Sequence, residues 1–120
     1  MKILIVDDSK AMRMIVTRTL RQAGFADHTI VEAVDGVTAL ASIADEAPDL
    51  VLSDWNMPEM SGIELLKALR AAGNDVRFGF VTSESTPAMR NTADENGAMF
   101  LIGKPFTAET FSTALADVLV

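Results

Sequence analysis

Five polar side chains stand directly after short apolar runs, and their types define a chemistry. Asp7 and Asp8 follow ILIV, Asp54 follows LVLS, Thr82 follows FGFV and Lys104 follows FLIG. Taken singly, each is a helix cap or a solvated loop residue. Taken together they are three carboxylates, a hydroxyl and an ammonium. Asp7, Asp8 and Asp54 brought close together would repel and raise one another's pKa unless a cation sat among them. A donor set made only of oxygen selects a hard cation, and Mg²⁺ suits one or two direct carboxylates, a backbone carbonyl and waters, with Mn²⁺ the nearest substitute. A carboxylate beside such a cation, with a lysine and a threonine hydroxyl at hand, suits phosphoryl transfer onto the carboxylate. Cation and ammonium would neutralise the phosphoryl oxygens while the hydroxyl donates to one of them. Two residues beyond Asp54 stands Asn56, an amide that cannot serve as a general base. The aspartyl phosphate should therefore persist rather than turn over.

Such a site needs elements that bring distant residues to one edge. Residues 3–6, 50–52, 78–81 and 99–102 are short apolar runs of strand length, and 29–34, TIVEAV, reads as a further strand. Solid aliphatic runs like the first suit strands covered on both faces. Between them lie amphipathic stretches with helix punctuation. Ser9 caps a helix with Met12, Ile15, Val16 and Leu20 on one stripe, stopped by Gly24. Asp35 and Gly36 open a second helix bearing Leu40 and Ile43, broken by Pro48. Ser61 caps a third with Leu65, Leu66 and Leu69, ending at Gly73. Thr86 followed by Pro87 signals a fourth, ended by Gly97, and Thr107 starts a fifth with Phe111, Leu115 and Leu119. Five strands each followed by a helix predict an α/β fold, a doubly wound parallel sheet with helices on both faces. Function in such sheets gathers at the carboxyl ends of the strands, where the five polar residues fall.

Composition limits the alternatives. A chain of 120 residues is read as one domain, 1–120, able to bury roughly two thirds of its unfolded surface. Hydrophobic and charged contents of 49% and 22% suit a globular protein and not a disordered one. The longest strictly apolar run, 98–102, is far below the ~18 residues of a membrane span. Acids follow the first apolar run where an export signal would still be apolar, so no signal peptide and a cytoplasmic location are expected. The absence of cysteine excludes disulfides and thiol chemistry. A net charge of −7 argues against nucleic acid as a partner. No glycine-rich nucleotide loop is present.

The segments LIVDDSKAMR, LVLSDWNMPEMSGIELL, FVTSES and GKPFT, in that order and spacing, resemble a response-regulator receiver domain of the stand-alone CheY-like type, over essentially the whole chain. The resemblance implies a five-stranded parallel sheet of order 2-1-3-4-5 with five helices, the flavodoxin-like arrangement. It implies that Asp54 is the phosphoacceptor, and that Asp7, Asp8, Asp54 and the Asn56 carbonyl hold the metal. Thr82 becomes the switch hydroxyl, Lys104 the partner of the phosphoryl group, and Asn56 and Glu84 the positions that tune hydrolysis. The Lys104–Pro105 bond would be cis. A histidine kinase or histidine phosphotransfer protein would donate the phosphoryl group, and a protein target would bind the face formed by helix four, strand five and helix five, about residues 86–120. Chemotaxis-type control is the leading role. A relay intermediate, a phosphate sink, or the receiver of a longer regulator would carry the same residues.

One position departs from the family. Leu101 stands where an aromatic ring usually swings inward as the switch hydroxyl moves. Phe100 beside it points to the opposite strand face and cannot substitute. Thr82 should still shift on activation, with a smaller conformational change.

Half of the basic residues, Lys2, Lys10, Arg13, Arg18 and Arg21, fall early in the chain. They read either as a solvated helix face or as a docking surface for the phosphodonor. Met57 and Met60 border the site as fillers, Trp55 is a partly exposed neighbour of Asp54, and His28 is a surface turn residue. Two other classes remain weaker. A Mg²⁺-dependent phosphohydrolase working through an aspartyl phosphate lacks a second acid at Asn56. A flavin-binding domain would set three carboxylates against a cofactor phosphate.

Overall fold

The computed structural model describes residues 1–116 and 118. Its strands are β1 (Lys2–Val6), β2 (Thr29–Ala33), β3 (Leu50–Ser53), β4 (Arg77–Thr82) and β5 (Phe100–Gly103). The helices are α1 (Lys10–Leu20), α2 (Gly36–Glu46), α3 (Gly62–Ala71), α4 (Pro87–Glu95) and α5 (Ala108–Leu115). All strand pairs are parallel, in the order β2-β1-β3-β4-β5. The expected helix residue Leu119 lies outside the described residues.

The period-two alternation of the strands sorts side chains into two cores. Leu4, Val6, Val51, Phe78 and Phe80 face α2, α3 and α4. Ile3, Ile5, Leu50, Leu52, Val81 and Ile102 face α1 and α5. The expected caps are present: Ser9, Asp35, Ser61, Thr86 and Thr107 each accept a hydrogen bond from the third residue beyond. Each thereby satisfies one amide that the first helical turn leaves without a partner. Gly24 adopts φ 101° where the chain leaves the first helix through a wider π turn, Arg21–Phe25.

The structure corrects the buried stripe of α1. Ile15 is 43% exposed, while Arg13, Val16, Thr19 and Leu20 are buried. Positions 13, 16 and 20 share a helix face, and that face, not the one through Ile15, meets the sheet. Arg13 is therefore not part of a solvated or docking surface. His28 is also less exposed than a surface turn residue: it is half-buried with its ring 5.8 Å from that of Phe25. Its Nδ1 is buried without a hydrogen-bond partner among the described residues.

Candidate functional site

The two central strands end side by side and carry the acids. The ladder runs past their ends: the Asp7 amide donates to Ala33 O (3.2 Å) and the Asp54 amide to Val6 O (2.9 Å). This holds the acidic residues at the rim of the sheet. Asp7, Asp8 and Asp54 each present a carboxylate oxygen within 4.8 Å of the others. Lys104 reaches across from the end of β5, with Nζ 3.3 Å from Asp7 Oδ2 and 3.6 Å from Asp54 Oδ2. Its own amide donates to Thr82 O at 2.8 Å, which ties the lysine loop to the end of β4. The Lys104–Pro105 peptide is cis.

Burial grades the three acids. Asp7 is 4% exposed, Asp54 is half-buried and Asp8 is exposed. Burial raises the pKa of Asp7 above its ordinary value; the Ser9 amide and the Lys104 charge oppose the rise, and the Asp54 charge adds to it. Mutual repulsion among the carboxylates, expected from the sequence as the main cause, is thus secondary to loss of water at Asp7.

The Asp54 loop is held from three sides. Oδ1 accepts from the Trp55 amide at 2.7 Å, and Ser53 Oγ donates to Asp54 O at 2.8 Å. Gly62, the first residue of α3, donates to Trp55 O at 2.7 Å, and any Cβ there would run into the Asp54 carbonyl. Trp55 packs on Phe80 with ring centroids 4.7 Å apart. Met57 and Met60 pack against the same core, and Met60 lies where a side chain at Gly36 would go.

Thr82 is fully buried, and its Oγ1 accepts from the Glu84 amide at 3.5 Å. Among the described residues that O–H donates to no acceptor. Asn56 and Glu84 are exposed on the flanking loops. The carbonyl of Asn56 accepts no hydrogen bond among the described residues. Leu101 is half-buried, pairs with Phe80 and packs against the core that holds that ring, whereas Phe100 packs against the opposite core, over Gly79.

The donor set suits a hard dication. Three carboxylates face one ammonium, every ligand atom is oxygen, and no thiolate or imidazole is present. Sequence reasoning missed one residue here. Arg13 donates from Nη1 to Asp7 O at 2.7 Å and from Nε to Glu32 Oε1 at 2.9 Å. Its spacing from Val16 and Leu20 was the available signal.

A doubly wound parallel sheet with an acidic, lysine-bridged rim belongs to the class of α/β domains that gather their functional groups at the carboxyl ends of the strands. The model of the response regulator receiver domain family matches residues 3–116, and the chain belongs to that family. It is 41% identical over 122 residues to the "Chemotaxis protein CheY homolog" of Campylobacter jejuni subsp. jejuni serotype O:23/36 (strain 81-176), covering 99% of this chain and 92% of that one. The solved structure of Vibrio cholerae chemotaxis protein CheY4 superposes with a TM-score of 0.85 at 36% identity, covering 98% of both chains. A response regulator receiver domain protein from Clostridium thermocellum shares the fold, with a TM-score of 0.85 at 22% identity over 98% of this chain and 93% of that one. No helix among the described residues is long and apolar enough to cross a membrane.

Proposed function

We propose that residues 1–120 form a single receiver domain of a two-component system, phosphorylated on Asp54 and acting by phosphorylation-dependent protein binding in chemotaxis-type signalling. The observation that carries this reading is the convergence of Asp7, Asp8 and Asp54 within 4.8 Å, with Lys104 touching two of them.

Asp7, Asp8, Asp54 and the Asn56 carbonyl would hold Mg²⁺ (or Mn²⁺). The cation supplies charge neutralisation at the phosphoryl oxygens. Asp54 attacks through Oδ2, the oxygen facing Lys104, because Oδ1 is held by the Trp55 amide. The P–N bond of a phosphohistidine donor breaks, a P–O bond to Asp54 forms, and the donor imidazole leaves with a proton from solvent. Lys104 then exchanges its contact with Asp54 for the phosphoryl oxygens. The Thr82 hydroxyl donates to one of them, which draws the end of β4 inward.

Asn56 and Glu84 stand exposed on the loops that flank the product and set its lifetime, and the Asn56 amide cannot act as a general base. The domain phosphorylates itself from the donor and hydrolyses slowly, without turnover of an external substrate. A histidine kinase or histidine phosphotransfer protein is the donor. The target binds across α4, β5 and α5, where a groove of about 540 Å³ is lined by Arg90, Leu101, Ile102, Glu109 and Ala114 among others.

The test is Trp55 fluorescence during addition of Mg²⁺ and then beryllofluoride or a small phosphodonor, with Asp54→Asn as control. A Mg²⁺-dependent response lost in the control, with one phosphoryl group found on Asp54 by mass spectrometry, is the expected result. Phosphorylation that survives in Asp54→Asn, or steady release of phosphate from phosphomonoesters, would overturn it.

A further inference from the structure

We infer that Arg13 is a positioning residue for the acidic site, fixing the backbone on which the Asp8 carboxylate stands. The inference rests on the reading of Asp8 and Asp54 as cation ligands.

Arginine is an unusual residue to find beneath a turn. Arg13 is 9% exposed, on the face of α1 that also buries Val16 and Leu20. A guanidinium cannot shed its charge, so burial requires that its donors be used. Two donors meet specific acceptors. Nε pairs with Glu32 on the edge strand β2 at 2.9 Å, which balances the charge locally. Nη1 donates to Asp7 O at 2.7 Å, in buried surroundings.

That carbonyl is the informative partner. The C=O of Asp7 and the N–H of Asp8 belong to one planar peptide unit. Pinning the oxygen therefore fixes the direction in which the chain enters Asp8. The same turn is closed from the other side: Asp7 Oδ1 accepts from the Ser9 amide at 2.9 Å, and Ser9 Oγ accepts from the Met12 amide at 3.2 Å. Asp8 is exposed and has no hydrogen bond of its own among the described residues. Its approach to Asp54 thus depends on the backbone beneath it. Because Glu32 neutralises the guanidinium, Arg13 supplies this constraint without adding an unbalanced positive charge that would oppose a bound cation. Groups that orient metal ligands in this way typically govern affinity by 10–100-fold.

The experiment titrates Mg²⁺ against wild type, Arg13→Met, Arg13→Lys and Glu32→Gln. Binding is read by Trp55 fluorescence and by the rise in urea midpoint that the cation produces. Arg13→Met keeps the aliphatic stem but removes the bond to Asp7 O, and should weaken Mg²⁺ about 10-fold. Arg13→Lys keeps charge and packing but has no fork to span both acceptors; a several-fold loss is expected, and this variant decides the matter should Arg13→Met fail to fold. Glu32→Gln keeps an acceptor for Nε but leaves the guanidinium charge unbalanced, so it should weaken Mg²⁺ measurably, though less than Arg13→Met does. Folded Arg13 variants that bind Mg²⁺ as wild type does, with only a lower urea midpoint, reduce Arg13 to packing and overturn the inference. Wild-type protein with no response to Mg²⁺ in either readout instead overturns the cation reading of the acids, and the inference with it.

Discussion

Helices α3 and α4 each begin a few residues after a site residue, yet they are seated differently. α3 follows the Asp54 loop and buries Gly62, Leu65, Leu66 and Leu69. α4 follows the Thr82 loop and buries only Ala93. Both are well capped, α3 by a Ser61–Glu64 capping box and α4 by Thr86 with Pro87 in the first turn. The difference is therefore one of tertiary contact and not of helix propensity. Segments with few buried apolar contacts open at the lowest free-energy cost. The loop bearing Asp54 is anchored to a deep helix, while the loop bearing Thr82 leads into a shallow one. A displacement at Thr82 meets little resistance in the helix that follows it.

The sharpest test of this contrast is core truncation. Leu66→Ala should cost about 2–5 kcal/mol, whereas Met89→Ala, on half-exposed α4, should cost less than about 1 kcal/mol. Equal shifts in urea midpoint would break the comparison. Next in size is Arg70, which donates to Asn74 O and Val76 O after α3 and to Asn96 O and Gly97 O after α4. It pins the far end of α4, so Arg70→Met should cost about 2 kcal/mol. It should also speed amide exchange around residues 93–98 more than within α3.

The caps come third. Ser61→Ala and Thr86→Ala should each remove about 1 kcal/mol, but in different places. The first should lower the global midpoint, the second mainly the exchange protection of α4. Indistinguishable exchange patterns would contradict the seating argument.

The smallest effect concerns the buried carboxyl of Asp7 at the end of β1. Burial raises the folded pKa of Asp7 above 3.8, so the folded state prefers the protonated acid. Its favourable contribution is complete below the unfolded pKa and is lost as pH rises through the folded one. Asp7→Asn, without divalent cation, should thus stabilise the protein near neutral pH. The gain should vanish as pH falls toward 3.8. A gain that persists in acid would point to a cause other than ionisation.

Much of this was legible beforehand, for local reasons. Each cap is a side chain bonding an amide three residues away, and each strand is a run of a few apolar residues. Strand ends lie within one residue of expectation; β3 extends to Ser53 and β4 starts at Arg77. Strand alternation correctly put Leu101 and Phe100 on opposite faces. The buried stripe of α1 is not legible from its apolar residues alone. Ile15 fits an apolar stripe as well as Val16 does, and only the presence of Glu32 and the Asp7 carbonyl makes burial of Arg13 favourable.

By itself, the sequence determined the element order, the caps and the five polar residues that end strands, since these depend on neighbours within one turn or one strand. Tertiary structure alone decided which groups meet across the chain and how dry they become. The bond from Arg13 to Glu32 spans 19 residues and that from Arg70 to Asn96 spans 26. The raised pKa of Asp7 comes from the water that packing removes, a quantity no stretch of sequence specifies until the sheet and its helices close around it.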